Sequence, residues 1–214
     1  MFIPLGHNCH PTGNLIKLNL RKQSFPFDWL LCDGERRFEY INNLINTQFS
    51  NFTANLVYNE RGKVVSKDYD YVEFFHHDLL QNVSDIIFER SETLIEAMDR
   101  RGKRFMDIIS NESNKVVFLY ILHHTRLIKD GSINNNKLYQ DMIHFDTNSN
   151  IKCKFKVLVY LYNDNEDYDL IIPHELSKLK HFIFDKYIRN QNVCKIYGDD
   201  KDFARLLIKN KLLR

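Results

Sequence analysis

The chain opens with a short apolar run, Phe2 to Leu5, closed by Gly6. Pro11 stands where the first turn of a helix carrying Leu15, Ile16, Leu18 and Leu20 would begin, so the pattern predicts strand, loop, helix. Polar residues 21–24 lead into Phe25-Pro26-Phe27-Asp28-Trp29-Leu30-Leu31. Pro26 argues against a central strand there and the aromatics argue for burial, which together predict a packed loop. Phe38, Ile41, Leu44 and Ile45 share one face of a predicted helix over 36–46. Residues 49–67 keep no period and place the cluster Asn59-Glu60-Arg61-Gly62 between two β-prone pieces, an excursion from the main sheet. Residues 69–80 are aromatic and hold the polar triplet His76-His77-Asp78; strand and packed loop fit them equally.

From Ser84 to Ile109 the positions Ile87, Leu94, Met98, Phe105 and Ile109 fall on one stripe, which predicts a single long helix. Lys115 to Leu122 and Phe155 to Tyr162 are nearly continuous β-branched and aromatic runs, as strands covered on both faces require. A short helix around 138–145 separates them. Residues 181–184 and 193–197 read as later strands, and Asp199-Asp200 can cap a closing helix through Phe203, Leu206, Leu207 and Leu212. Strands alternating with helices, with few tight hairpin signals, predict one α/β domain over 1–214: a mostly parallel or mixed sheet sandwiched between helices.

Composition narrows the function classes. At 214 residues with 43% hydrophobic and 13% aromatic residues, the chain can bury enough apolar surface to fold as one unit. Thirty basic against 28 acidic residues, a net charge of +2, makes no electrostatic case for nucleic acid or a membrane surface as partner. The first residues lack a basic start and a long apolar run, and no stretch reaches the roughly 18–20 apolar residues of a spanning helix, so a cytoplasmic location is expected. Cys9, Cys32, Cys153 and Cys194 are widely spaced, which indicates thiols and neither a disulfide framework nor a zinc module. The histidine pairs 76–77 and 123–124 lack ligand spacing, and no glycine-rich phosphate loop or GxSxG is present, so neither metal nor cofactor is expected.

Candidate chemistry gathers at Leu5-Gly6-His7-Asn8-Cys9-His10-Pro11. A thiol at a helix start meets unpaired backbone N–H groups and the positive end of the helix dipole, which favour the thiolate and suit a nucleophile. Asn8 offers an amide beside it for a tetrahedral intermediate, and His7 and His10 flank the thiol. A small buried cysteine is the alternative. His123 and His124 end the best strand, where open α/β sheets bind ligands, and Arg126 follows them as a candidate anion contact. A polar end to a buried strand explains the same pair.

Leu5-Gly6 with Cys9, then Leu20-Arg21, then Pro26-Phe27-Asp28-Trp29, followed by His77-Asp78, resembles the family of predicted papain-like cysteine peptidases. The resemblance is specific over about the first 80 residues. It implies Cys9 as nucleophile and His77 as its base, and it adds a papain-like α+β arrangement as the alternative fold. Asp78, next to His77, is one candidate orienting carboxylate; if residues 74–78 are extended it points away from His77 and shares a face with His76, which makes Asp28 the second candidate, for that role or for fixing the loop beneath Cys9. The expectation is a thiol-dependent hydrolase or acyl transferase acting on a peptide or other acyl substrate. Two other readings stay open: a non-catalytic interaction domain, and an enzyme of glycans or polar metabolites with the strand-end histidines at its site.

Overall fold

The computed structural model describes residues 1–6, 8–74, 83–85, 90–129, 132–133, 136–164, 167–170, 172, 174–189 and 199–213. In chain order the elements are β1 (Phe2–Gly6), α1 (His10–Lys17), β2 (Leu31–Cys32), a 3-10 turn (Gly34–Arg36), α2 (Arg37–Asn46), β3 (Leu56–Tyr58), β4 (Val64–Ser66) and β5 (Val72–Glu73). Then follow β6 (Val83–Asp85), β7 (Arg90–Glu92), α3 (Leu94–Ile109), β8 (Lys115–His123), α4 (His124–Leu127), β9 (Ile128–Lys129) and β10 (Ser132–Ile133). The chain closes with α5 (Asn136–Asp146), β11 (Lys154–Asp164), α6 (His174–Ser177), β12 (Phe182–Arg189) and α7 (Asp200–Lys209).

The main sheet runs β1-β8-β11-β12, parallel throughout, in the order in which the strands occur in the chain. Its residues alternate between two apolar layers. Val116, Phe118, Tyr120 and Leu122 of β8 face a core shared with α2, α3 and α5, while Leu119 and Ile121 face a second core with α1 and α7. Each fully buried residue of this kind contributes about 1.5–3 kcal/mol, so a strand buried on both sides must be apolar almost without a break. Strands added in one direction by right-handed crossovers send the connecting helices to one face, where α2, α3, α5 and α6 pack. Helix α1 lies outside that path, beside α7 on the other face. The fold is the expected α/β sandwich, not the papain-like α+β alternative.

The excursion over 49–67 is a hairpin, β3 against β4, within a separate antiparallel sheet ordered β2-β5-β4-β3. The helix expected from Ser84 begins ten residues later. Thr93 and Glu96 form a reciprocal capping box, with Glu96 N–H donating to Thr93 Oγ1 and Thr93 N–H to Glu96 Oε2, and β6 and β7 pair upstream of it. A cap that satisfies the first free N–H groups fixes the start more strongly than the apolar stripe does. The strand expected at 193–197 lies outside the described residues.

Candidate active site

Helix α1 starts at the carboxyl end of β1, with Pro11 in its first turn and Cys9 at its cap position. Cys9 is half-buried, its thiol is free, and its carbonyl accepts from Gly13 N–H. The Asn8 side-chain oxygen accepts from His10 N–H at 2.9 Å. That end of the Asn8 amide therefore caps the helix. His7 lies outside the described residues. His10 points away from Cys9's edge into the second core: fully buried, its ring is 5.2 Å from Tyr187 and 5.9 Å from Phe203, and its Nδ1 is 3.1 Å from the Tyr160 hydroxyl. Its flanking place in sequence does not carry over into space.

Between α1 and β2 the chain passes around the edge of the sheet at β1, from the second core (Leu15, Leu18, Leu20) to the first (Phe25, Phe27, Leu30). One carboxylate closes this strap. Asp28 is fully buried, and its Oδ2 accepts from Arg21 at 2.6 and 3.1 Å and from Phe25 N–H at 2.9 Å. The Arg21 guanidinium also donates to Ser24 Oγ, and Thr12 of α1 donates its hydroxyl to the Asp28 carbonyl. Burial raises the Asp28 pKa, with Arg21 opposing it. Arg21 lies 5.9 Å from the half-buried Trp29 ring.

Beneath the turn into the loop lies a residue that sequence reasoning did not single out. Arg37, at the start of α2, is fully buried, and its Nε donates to the Leu5 carbonyl. The β1–β8 register shifts at this point, between Pro4 and Gly6. A Cβ on Gly6 would lie 1.6 Å from the Arg37 guanidinium, and Gly6 has φ +84°. Glycine is therefore required at position 6 twice over, by space and by backbone. The only sequence signal for Arg37 was a charged residue on the apolar side of a predicted helix.

His123 ends β8 and His124 opens α4, on the same carboxyl edge of the sheet as the Cys9 loop. His123 Nδ1 is 2.8 Å from Thr125 Oγ1 and its ring meets Tyr162 edge-on at 5.0 Å. The His124 ring stacks on Tyr168 at 4.6 Å, and its Nδ1 is buried with no hydrogen-bond partner. Farther along the edge, Arg189 pairs with Asp164 at 2.6 and 2.8 Å. Arg126 falls within α4, and its side chain lies outside the described residues, as do His76, His77 and Asp78 entirely.

The family described as "Putative papain-like cysteine peptidase (DUF1796)" matches residues 1–165. The chain belongs to this family. No curated protein and no solved structure matches it. The blocks that carried the resemblance to the papain-like cysteine peptidase family now have physical roles in this chain. Leu5 supplies a carbonyl to Arg37, Gly6 makes room for it, and Arg21 with Asp28 buckles the strap that holds α1. Among the described residues no group of three or more His, Cys, Asp or Glu could hold a metal ion, and no helix is long and apolar enough to cross a membrane. A polar cavity of about 540 Å³ opens between α2 and α5, lined by Glu39, Asn42, Asn46, Lys137, Asp141 and Asn148 among others, none of them selected from sequence.

Proposed function

We propose that this chain is a thiol-dependent hydrolase in which Cys9 attacks an acyl carbonyl, with peptide or isopeptide bonds as the first substrate class. The observation that carries the reading is a half-buried free thiol at the start of α1, at the carboxyl edge of a parallel sheet. Backbone N–H groups at that helix start would hold the oxyanion, and a neighbouring imidazole would take the thiol proton and return it to the leaving group. His77 is the base implied by the family, with Asp78 and Asp28 as the candidate orienting carboxylates; His124, with its unpartnered Nδ1, is the rival base. Asp28 is already committed to Arg21 and Phe25, which favours a positioning role through the strap. Acyl transfer differs only in the acceptor that resolves the thioester.

The test is iodoacetamide labelling of the folded chain at pH 7, read site by site by mass spectrometry. Cys9 should be labelled at least about tenfold faster than in the urea-unfolded chain, whereas buried Cys32 and Cys153 should be protected. Replacing the base, His77→Ala or His124→Ala, should remove the acceleration in one case and spare it in the other. No acceleration in the wild type, or acceleration indifferent to both substitutions, would overturn the proposal.

A further inference from the structure

The Arg37 guanidinium is short of partners. Nε has the Leu5 carbonyl, and neither terminal nitrogen has an oxygen partner; the guanidinium's other polar contact among the described residues is the neutral Cys32 thiol. No ion pair to Arg37 is found among the described residues, in contrast with Arg21. Its neighbours are the Phe27 ring at 5.4 Å, the Tyr40 ring at 5.9 Å and the thiol of Cys32. Burial pushes the Cys32 thiol up, so it stays protonated and cannot balance the charge. The Tyr40 hydroxyl is a second buried polar group without a partner in the same cluster. A buried cation of this kind is costly unless something negative meets it. Water can fill the donors but leaves the charge.

The position of the cluster says where that negative group comes from. The guanidinium lies against Gly6 on the side where a Cβ would be, with no side chain of residue 6 between it and the backbone that leads to Cys9. This is the carboxyl end of β1, the edge at which parallel sheets take ligands. The planar fork of an arginine matches a carboxylate with two parallel N–H···O bonds, and a tyrosine hydroxyl adds a third donor.

We propose that Arg37, with the Tyr40 hydroxyl, is the carboxylate-recognition element of the Cys9 site, selecting substrates that carry an anionic group close to the acyl carbon. This rests on the reading of Cys9 as the nucleophile, and two measurements keep the two claims apart. The first does not involve Cys9. In the full chain at constant ionic strength, acetate should shift the Arg37 Nε–H resonance saturably. No response to acetate or phosphate, meaning that water alone fills the cluster, would overturn the proposal. A response to phosphate alone would overturn its carboxylate assignment.

The second measurement compares iodoacetate with iodoacetamide at Cys9. Both form the same S–CH2 bond with loss of iodide, and they differ in the carboxylate. The folded chain should prefer iodoacetate, relative to the unfolded chain, by about tenfold, the weight of one added hydrogen bond to a charged group. Arg37→Gln should abolish that preference while iodoacetamide still reacts; Arg37→Lys, which keeps a cation but loses the fork, should retain part of it. A flat ratio in the wild type would overturn the link to Cys9 even if acetate binds. Should Cys9 react with neither reagent while acetate still shifts Arg37, the nucleophile reading would fall and the carboxylate site would stand.

Discussion

The strap around the edge of β1 and the underside of Gly6 each take in an arginine, Arg21 largely and Arg37 fully buried, and the two regions treat it differently. Arg21 meets a carboxylate and a serine hydroxyl, and its partner Asp28 is tied in turn to Phe25 N–H. Arg37 meets one backbone carbonyl and the neutral Cys32 thiol, with no carboxylate beside it among the described residues. Asp28 takes its contacts with Arg21 and Phe25 on Oδ2, while its Oδ1 is buried without a partner; what fixes structure here is the pairing of opposite charges, because removing either partner strands the other. A buried charge left with free donors retains capacity for a ligand. The contrast separates what holds α1 in place from what equips the edge above it.

The sharpest way to break this comparison is Asp28→Ala, which strands Arg21 and frees Phe25 N–H. We expect a loss of about 3–5 kcal/mol in urea unfolding; a loss below about 1 kcal/mol would show that the strap is not held by this pair. Gly6→Ala should cost about 2–4 kcal/mol, from the positive φ and the overlap with Arg37. In an Arg37→Met background the overlap is relieved, so the cost should fall towards about 1 kcal/mol, a coupling that a double-mutant cycle measures directly.

The two arginines can be set against each other with one substitution. Arg21→Met should cost nearly as much as Asp28→Ala, whereas Arg37→Met, which removes an unbalanced buried charge, should change stability by no more than about 1 kcal/mol. Equal costs would erase the distinction. At the Cys9 loop, Asn8→Ala should cost about 1 kcal/mol through the lost cap. Cys9→Ala should lie within about 0.5 kcal/mol, because its side chain makes no capping hydrogen bond.

The smallest effect concerns pH. Burial lifts the Asp28 pKa above its ordinary value of 3.8, so the folded chain takes up this proton at higher pH than the unfolded chain does. Over the interval between those two values stability falls as pH rises. Asp28→Asn should flatten that slope in urea midpoints measured from pH ~4 upward.

Much of the fold was legible along the chain, and for identifiable reasons. β8 and β11 are buried on both faces, so their apolar runs are nearly unbroken, and Asp199 caps α7 by accepting from Lys201 N–H. The late start of α3 was also written in the sequence, as Thr93 and Glu96 three residues apart, but the longer apolar stripe hid it. Of the candidate site, the Cys9 loop and the strand-end histidines could be placed from local pattern, because a strand followed by a helix start is a local event. His10 could not, since its neighbours Tyr160, Tyr187 and Phe203 are remote in sequence.

By itself, then, the sequence determined the long strands β8 and β11, the helices around them apart from the start of α3, their alternation, and the family to which the chain belongs. It also determined that a thiol stands at the first helix start. Only the tertiary structure decided that α1 and α2 cover opposite faces of the sheet, that Asp28 serves Arg21, and that Arg37 lies buried against Gly6 with donors to spare. The reason is physical: periodicity and capping depend on neighbours along the chain, whereas burial and the pairing of charges depend on groups that meet only when the chain folds.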